Sequence, residues 1–451
     1  MTWTLFLLIT YFWNFWSFVE PRGLFLTALI EKHEYQKAKK QSLVKMFKEQ
    51  ANATAYSGYI TVNKTSLSNL FFLFIRAHEH PSTAPLILWS QGGPGLSALA
   101  GQFLDNGPLG IDAKGNLYRR ARTVQRTMNV IYLDLPVGAG YSFADSPASY
   151  PQSLEKIALE VTEFLRQFLL LFPGFKNRDF CAAGESYAAR YAVGIAHSLL
   201  ATPSKNVPLR LRGVIGGSPF VGPVFDVADS SEFLYRTAML THNGRRSFSK
   251  YFKEMRRLKD EGNIDQALLL LRHTIFPSRE DTSLFEKLTS FECHASALYS
   301  DVPGQMRKYK EYVQRYDFRE SIHVSQEADF EGGAAALFFS LSTDMVRDIS
   351  GLIELLLNRS RVLLYTGSMD TLLPSTKLRE YFRTLQWIHA AQYRRAPQVP
   401  WKPYEGCRGM CGYTIKLHNF TEAVLLGAGH YTSLDKQDEL YFLLNEFIQG
   451  G

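Results

Sequence analysis

Three residues far apart in the chain, Ser186, Asp370 and His430, each follow an apolar run, in an order that suits chemistry by an activated hydroxyl. GESYA at 184–188 fits the turn pattern G-x-S-x-[GA], with the strand-like DFCAA before it and the helix-forming YAARYAVGIAHSLL across and after it. Small residues at Gly184 and Ala188 allow a tight turn that leaves Ser186 exposed above a sheet, its oxygen free of strand pairing. A serine hydroxyl is a poor nucleophile until a base takes its proton, and in such folds the partners follow as Ser, then Asp or Glu, then His. VLLYTGSMD sets Asp370 just past one strand and AVLLGAGH sets His430 just past another, where an open sheet gathers its site. A single Asp after a strand is more often a helix cap. Three placements in this order point to a triad.

WSQGGPG at 89–95 follows the strand-like PLIL and joins two adjacent glycines, a proline and a third glycine. Glycines let backbone N–H groups face a ligand without Cβ obstruction, which suits an oxyanion hole contributed by a second loop. A plain tight turn would use the same residue types, but the string with its Trp is rare. The four cysteines, Cys181, Cys293, Cys407 and Cys411, allow three fully paired connectivities. Cys407 and Cys411 are spaced to close a small loop, and Cys181 reads as a buried thiol. No CxxC pair or His/Cys spacing suggests a zinc site. Hydroxyl chemistry of this kind needs no cofactor.

The elements that must carry these loops are strands alternating with helices. YITV, LFFLFIR, PLILW and NVIYLDLP read as strands, as do the runs at 180–183, 211–215, 362–365 and 423–426. Leu154, Ile157, Val161, Phe164, Leu165, Phe168 and Leu169 recur at helical spacing, stopped by Pro173-Gly174. The alternation implies an α/β fold with a mainly parallel central sheet and helices on both faces. Residues 224–345 change to charged helical material and strands resume after them, so they read as a helical cap insertion between two parts of the core, 23–223 and 346–451. In the stretch Lys32 to Lys48, the lysines with Ala38, Leu43, Val44 and Phe47 suggest a solvated amphipathic helix face.

Composition agrees with a globular protein: 451 residues, 46% apolar and 21% charged, which excludes disorder, collagen and a disulfide miniprotein. The net charge of +7, from 50 Lys+Arg against 43 Asp+Glu, is spread along the chain, and no nucleic-acid partner is expected. The apolar run at 3–18 is shorter than the roughly 20 residues needed to cross a bilayer. We therefore read residues 1–22 as a signal peptide, cut near 17–23, and expect no stable membrane span. Four glycosylation sequons, at Asn52, Asn63, Asn358 and Asn419, agree with passage through the secretory pathway to a secreted or lysosomal destination.

SQGGPG, DLPVGAGYSF at 134–143, GESYA, YTGSMD and GAGH, in order and at family-like spacing, resemble the serine carboxypeptidase family over nearly all of the mature chain. LFLTALIEKHEYQKAKKQSLV, YSGYITVNKTSLSNLFFLF and Gln91 are most similar to its vitellogenic carboxypeptidase-like branch. The resemblance implies the α/β-hydrolase fold and release of C-terminal residues from peptides or proteins through an acyl-enzyme. It makes Ser186 the nucleophile, His430 the general acid and base, and Asp370 the residue that orients the imidazole. It puts the oxyanion hole at the N–H groups of Gly93 and Tyr187. Trp89, Gln91, Gly92, Asp105 and Glu185 would hold the substrate's terminal carboxylate. Carboxyl groups bind a carboxylate only when they share a proton, so an acidic pH optimum is expected. Members of the family are often glycosylated and dimeric, so a homodimer is an expectation of the resemblance alone.

Several positions depart from the pattern. Leu96 stands where the family has Cys or Gly, Asp105 is one methylene shorter than the usual Glu, and Ala189 replaces a Gly. Gly217-Ser218 replaces Asn/Asp-Gly, Tyr431-Thr432-Ser433 replaces Met-Val-Pro, and the usual cysteine partner for the Cys293 position is missing. These departures motivate a second reading, a secreted protective or binding subunit of the same fold. All three triad residues are nevertheless present, and the enzyme reading is preferred.

Overall fold

In the computed structural model, which describes residues 23–276, 282–407 and 409–450, the strand-like runs become thirteen strands. These are β1 (Leu43–Val44), β2 (Ala55–Asn63), β3 (Ser68–Ile75), β4 (Leu86–Ser90), β5 (Leu109–Ile111), β6 (Leu117–Arg119), β7 (Asn129–Leu133), β8 (Asp179–Glu185), β9 (Arg210–Gly217), β10 (Arg361–Gly367), β11 (Val399–Trp401), β12 (Gly412–Leu417) and β13 (Phe420–Leu425). Eleven of them form one sheet in the order β1-β2-β3-β7-β4-β8-β9-β10-β13-β12-β11, while β5 and β6 pair separately. From β7 through β13 the neighbours run parallel, flanked at both edges by antiparallel pairs. The carboxyl ends of β4, β8, β9, β10 and β13 therefore share one edge.

Burial explains why these runs make a sheet covered on both faces. Alternate residues of one strand enter opposite cores: Phe72 and Phe74 lie on one side of β3, Phe71 and Leu73 on the other. The helix Leu154–Leu171 covers the first face, with Phe164 5.6 Å from Phe72 and Phe168 5.1 Å from Phe74, both edge-on. Each such buried phenylalanine contributes about 1.5–3 kcal/mol over an exposed one. Ser153 caps this helix by accepting from Lys156 N at 3.3 Å, and Pro173 starts a separate turn beyond its end. The helix Ala188–Ala201, next to it, is buried from Ala188 to Ala196, and Gly194 lets it approach Leu154 closely.

One expectation needs correction. The Lys32 to Lys48 stretch is two helices, Tyr35–Gln41 and Lys45–Ala51, separated by β1. Leu43 and Val44 pair with Tyr56 and Ala55, so the strand period decides their faces: Val44 is buried and Leu43 is exposed. Sheet pairing overrides local helix preference here.

From Val224 to Val346 the described residues form helices and connections without a strand. The longest, His242–Asp260, buries Phe248, Phe252, Met255 and Leu258 along one stripe and starts at Thr241, whose hydroxyl accepts from Gly244 N at 3.1 Å. Cys407 and Cys411 are bridged, whereas Cys181 and Cys293 are free and buried. The signal segment expected at 1–22 lies outside the described residues. No helix among the described residues is long and apolar enough to cross a membrane.

Candidate active site

Ser186 follows the last residue of β8 and has φ of 60°, the left-handed conformation that costs a non-glycine residue about 1–3 kcal/mol. The surroundings enforce it. Ser186 N donates to Gly217 O at 2.8 Å, and Ser186 O accepts from Phe220 N at 3.0 Å. A β-carbon on Gly184 would lie 2.4 Å from Ala188 O, so the turn closes only on glycine. The helix Ala188–Ala201 begins two residues after Ser186, giving the strand, sharp turn and helix expected of an elbow.

Asp370 and His430 come from the loops after β10 and β13, and the structure brings them together: Nδ1 of His430 donates to Asp370 Oδ2 at 2.8 Å. The other oxygen of Asp370 accepts from Leu372 N and Leu373 N at 2.9 and 2.8 Å, which fixes the carboxylate. Both side chains are buried. Nε2 of His430 and Oγ of Ser186 make no hydrogen bond among the described residues. Such contacts commonly tighten only when substrate is bound.

Two features that sequence reasoning missed align these loops. Ser218 donates its amide to Tyr365 O at 2.7 Å and its hydroxyl to His430 O at 2.8 Å, while Gly217 beside it holds Ser186 N. One dipeptide thus ties the Ser186 turn to the His430 loop. The chain at 294–297 grips the Asp370 and His430 loops: Ala295 O accepts from His430 N at 2.9 Å, Ala297 N donates to Met369 O at 2.9 Å, and Thr371 Oγ1 donates to His294 O at 2.7 Å. Burial, with His430 adding to it, pushes the His294 imidazole down to about 4, so it stays neutral beside the base.

The glycine loop after β4 lies against the elbow. Neither Gly93 N nor Tyr187 N donates to a protein acceptor among the described residues. Asp134 fastens this loop, its carboxylate accepting from Ser97 Oγ, Ala98 N and Tyr141 N, each at 2.7 Å. Burial pushes its carboxyl up to about 7. Gly92, expected with the carboxylate-holding set, packs on the elbow backbone: a β-carbon there would lie 2.6 Å from Tyr187 N and 2.8 Å from Ser186 Cβ. Gly92→Ala must displace backbone at both donors. We expect kcat to fall roughly 100-fold or more, measured on any ester or peptide substrate the wild type turns over.

The remaining expected residues form a second cluster at the same edge of the sheet. Gln91 Nε2 donates to Glu185 Oε2 at 2.7 Å, Trp89 Nε1 to Gln91 Oε1 at 3.3 Å, and Ser433 Oγ to Asp105 Oδ1 at 2.6 Å. Glu185 and Asp105 are 0% and 2% exposed, yet Glu185 Oε1 and Asp105 Oδ2 have no hydrogen-bond partner. Burial holds Glu185 well above the usual carboxyl range, with the nearby Asp105 charge adding to it. Asp105 is pushed up to about 6 by burial, opposed by Ser433 and by the Arg120 charge. Two buried acids that resist joint ionisation share a proton readily. A cavity of about 90 Å³ adjoins Asp105, lined by Gln91, Leu96, Met306, Tyr309 and Tyr431 among others. A larger cavity of about 660 Å³, lined by Phe25, Tyr59, Tyr141 and Tyr150 among others, holds none of these acids and no triad residue.

The sequon asparagines differ in access: Asn52 and Asn358 are exposed, while Asn63 and Asn419 are half-buried. Nδ2 of Asn419 donates to Leu357 O at 3.2 Å.

The chain is similar to known proteins over almost all of its length. The family model described as serine carboxypeptidase matches residues 46–450. The probable serine carboxypeptidase CPVL of Homo sapiens is 30% identical over 437 residues, covering 95% of this chain and 91% of its own length. The venom serine carboxypeptidase of Apis mellifera is 31% identical over 427 residues, covering 94% and 90%. The vitellogenic carboxypeptidase of Aedes aegypti is 25% identical over 429 residues, covering 94% and 89%. Among solved structures, Kex1(delta)p, a prohormone-processing carboxypeptidase from Saccharomyces cerevisiae, superimposes with a TM-score of 0.77 at 17% identity, covering 91% of this chain and 96% of that one.

Proposed function

The chain belongs to the serine carboxypeptidase family, and from that premise we propose that it removes the C-terminal residue of peptides through an acyl-enzyme on Ser186. In this reaction Ser186 Oγ attacks the last peptide carbonyl while His430 Nε2 takes its proton. Asp370, fixed by two amides, holds the ring and stabilises the imidazolium. The N–H groups of Gly93 and Tyr187 receive the oxyanion. His430 then protonates the leaving amine, and a water deprotonated by His430 hydrolyses the ester and frees the serine.

The observation that carries the reading is the buried Asp105–Glu185 pair, with two unpartnered carboxyl oxygens, in which Glu185 immediately precedes the nucleophile. An esterase has no use for such a pair. A substrate whose carboxylate must be held through a shared proton does. A fluorophosphonate probe tests the nucleophile: labelling of the wild type, lost in Ser186→Ala, is the expected result. A folded wild type left unlabelled would favour the binding-subunit reading.

The same pair sets the pH dependence. Burial keeps Asp105 protonated up to about 6 and holds Glu185 well above the usual carboxyl range. As pH rises further and the pair loses its last shared proton, a substrate carboxylate meets like charge, and KM climbs. We expect kcat/KM for a blocked dipeptide to be roughly tenfold or more lower at pH 8 than at pH 5. A profile peaking above pH 8 and negligible at pH 5 would contradict it.

The reading includes a secretory route, supported by the apolar run at 3–18 and by the sequons. On this reading Asn52, Asn63, Asn358 and Asn419 are acceptor sites, Asn419 being the one whose amide nitrogen is already engaged. Residues 224–345 act as a cap, supported by the grip of 294–297 on the triad loops and by Met306 and Tyr309 at the cavity beside Asp105.

A further inference from the structure

The carboxyl pair is held from the histidine side by a residue no expectation had placed there. Ser433 lies three residues past His430, in the short helix Thr432–Asp435, and its hydroxyl donates to Asp105 Oδ1 at 2.6 Å across 328 residues of chain. Ser433 is 1% exposed, so its hydroxyl contact with Asp105 is shielded from bulk water. We infer that Ser433 is a positioning residue: its hydroxyl secures Asp105 Oδ1, turns Oδ2 toward the incoming carboxylate, and sets the highest pH at which that carboxylate is held. The inference rests on the carboxypeptidase reading above.

A hydroxyl that donates to a carboxyl group favours its ionised form. Ser433 is the direct donor to Asp105 among the described residues, since Oδ2 has none. The other groups facing Asp105 leave that role open. Arg120, from β6's far end, spends its Nη atoms on the carbonyls of Gln102, Phe103, Gly107 and Leu109 and acts on Asp105 only through its charge. The Asp105 charge opposes ionisation of Glu185 on β8 and of the buried phenols Tyr132, Tyr365 and Tyr431. Ser433 therefore works against burial, letting Asp105 ionise at lower pH than it otherwise would and releasing substrate carboxylates earlier as pH rises. The serine also couples the two halves of the site, because the helix it sits in continues directly from the His430 loop.

Binding of a blocked dipeptide to the Ser186→Ala protein, followed by calorimetry from pH 4.5 to 8, tests this without turnover. With Ser433 present, affinity should fall as pH rises, and the C-terminally amidated peptide should show no such limb. Ser433→Ala should move the limb upward by about one pH unit, the size of one hydrogen bond to a charged group. Ser433→Cys, which keeps the volume with a weaker donor, should move it the same way, and Ser433→Thr should restore it. A limb that stays put or moves down in both Ser433→Ala and Ser433→Cys would overturn the inference while leaving the carboxypeptidase reading intact. Acid and amide bound equally at every pH would overturn both.

Discussion

Ser186→Ala should lower kcat/KM for a blocked dipeptide by about 10⁴-fold or more, the scale seen when a triad nucleophile is removed and only binding and the oxyanion hole remain. Replacing His430 as well should add little, because the two act as one unit. The elbow adds a signature that a bystander serine would lack. At φ of 60° any side chain at this position is strained, so Ser186→Gly should be equally inactive yet more stable than Ser186→Ala, by about 1 kcal/mol. Inactivity paired with raised stability would show that the strain serves the nucleophile rather than the fold. A Ser186→Ala protein retaining wild-type turnover would remove the mechanism.

Arg190→Ala should cost about 3–5 kcal/mol of stability, the penalty for stripping one partner from a buried ion pair. Arg190 is 0% exposed on the helix that follows the elbow, and Asp344 is 2% exposed. Its Nη2 donates to Asp344 O at 2.5 Å and to Arg347 O at 3.0 Å, and approaches Asp344 Oδ2 at 3.5 Å. Removing the guanidinium leaves the buried carboxylate with the Leu154 amide, 3.3 Å from its other oxygen, and with the partly exposed Arg347 at 3.8 Å. Asp344→Ala in the same chain should recover part of the loss, and a double-mutant cycle in denaturant would read the coupling. Loss within about 0.5 kcal/mol for Arg190→Ala would mean the pair is inert.

What could be read from the residues was whatever is local. DFCAA, PLIL and the run at 362–365 are apolar on both faces, as strands of a covered parallel sheet must be, and they became β8, β4 and β10. Once those strands lie parallel, loops at their carboxyl ends fall on one edge, which is why Asp370 and His430 meet although 60 residues separate them. Periodicity also gave the helix Leu154–Leu171 within two residues of its observed end. It failed at Lys32 to Lys48, where pairing of Leu43 and Val44 with β2 decided the outcome. Ser218 and Ser433 looked only like departures from a pattern. Their partners lie 212 and 328 residues away, and nothing local announces a hydroxyl reaching that far. The grip of residues 294–297 on the triad loops is made largely by backbone, which carries no sequence signature.

The most direct test of the central claim uses one peptide in two forms, with a free C-terminal carboxylate and as its amide, incubated with the protein at pH 5 and read by mass spectrometry. The account predicts that the free acid loses its terminal residue, that the amide stays intact, and that Ser186→Ala leaves both untouched. An intact free acid in the presence of folded wild type, or cleavage of both forms at interior bonds, would contradict it.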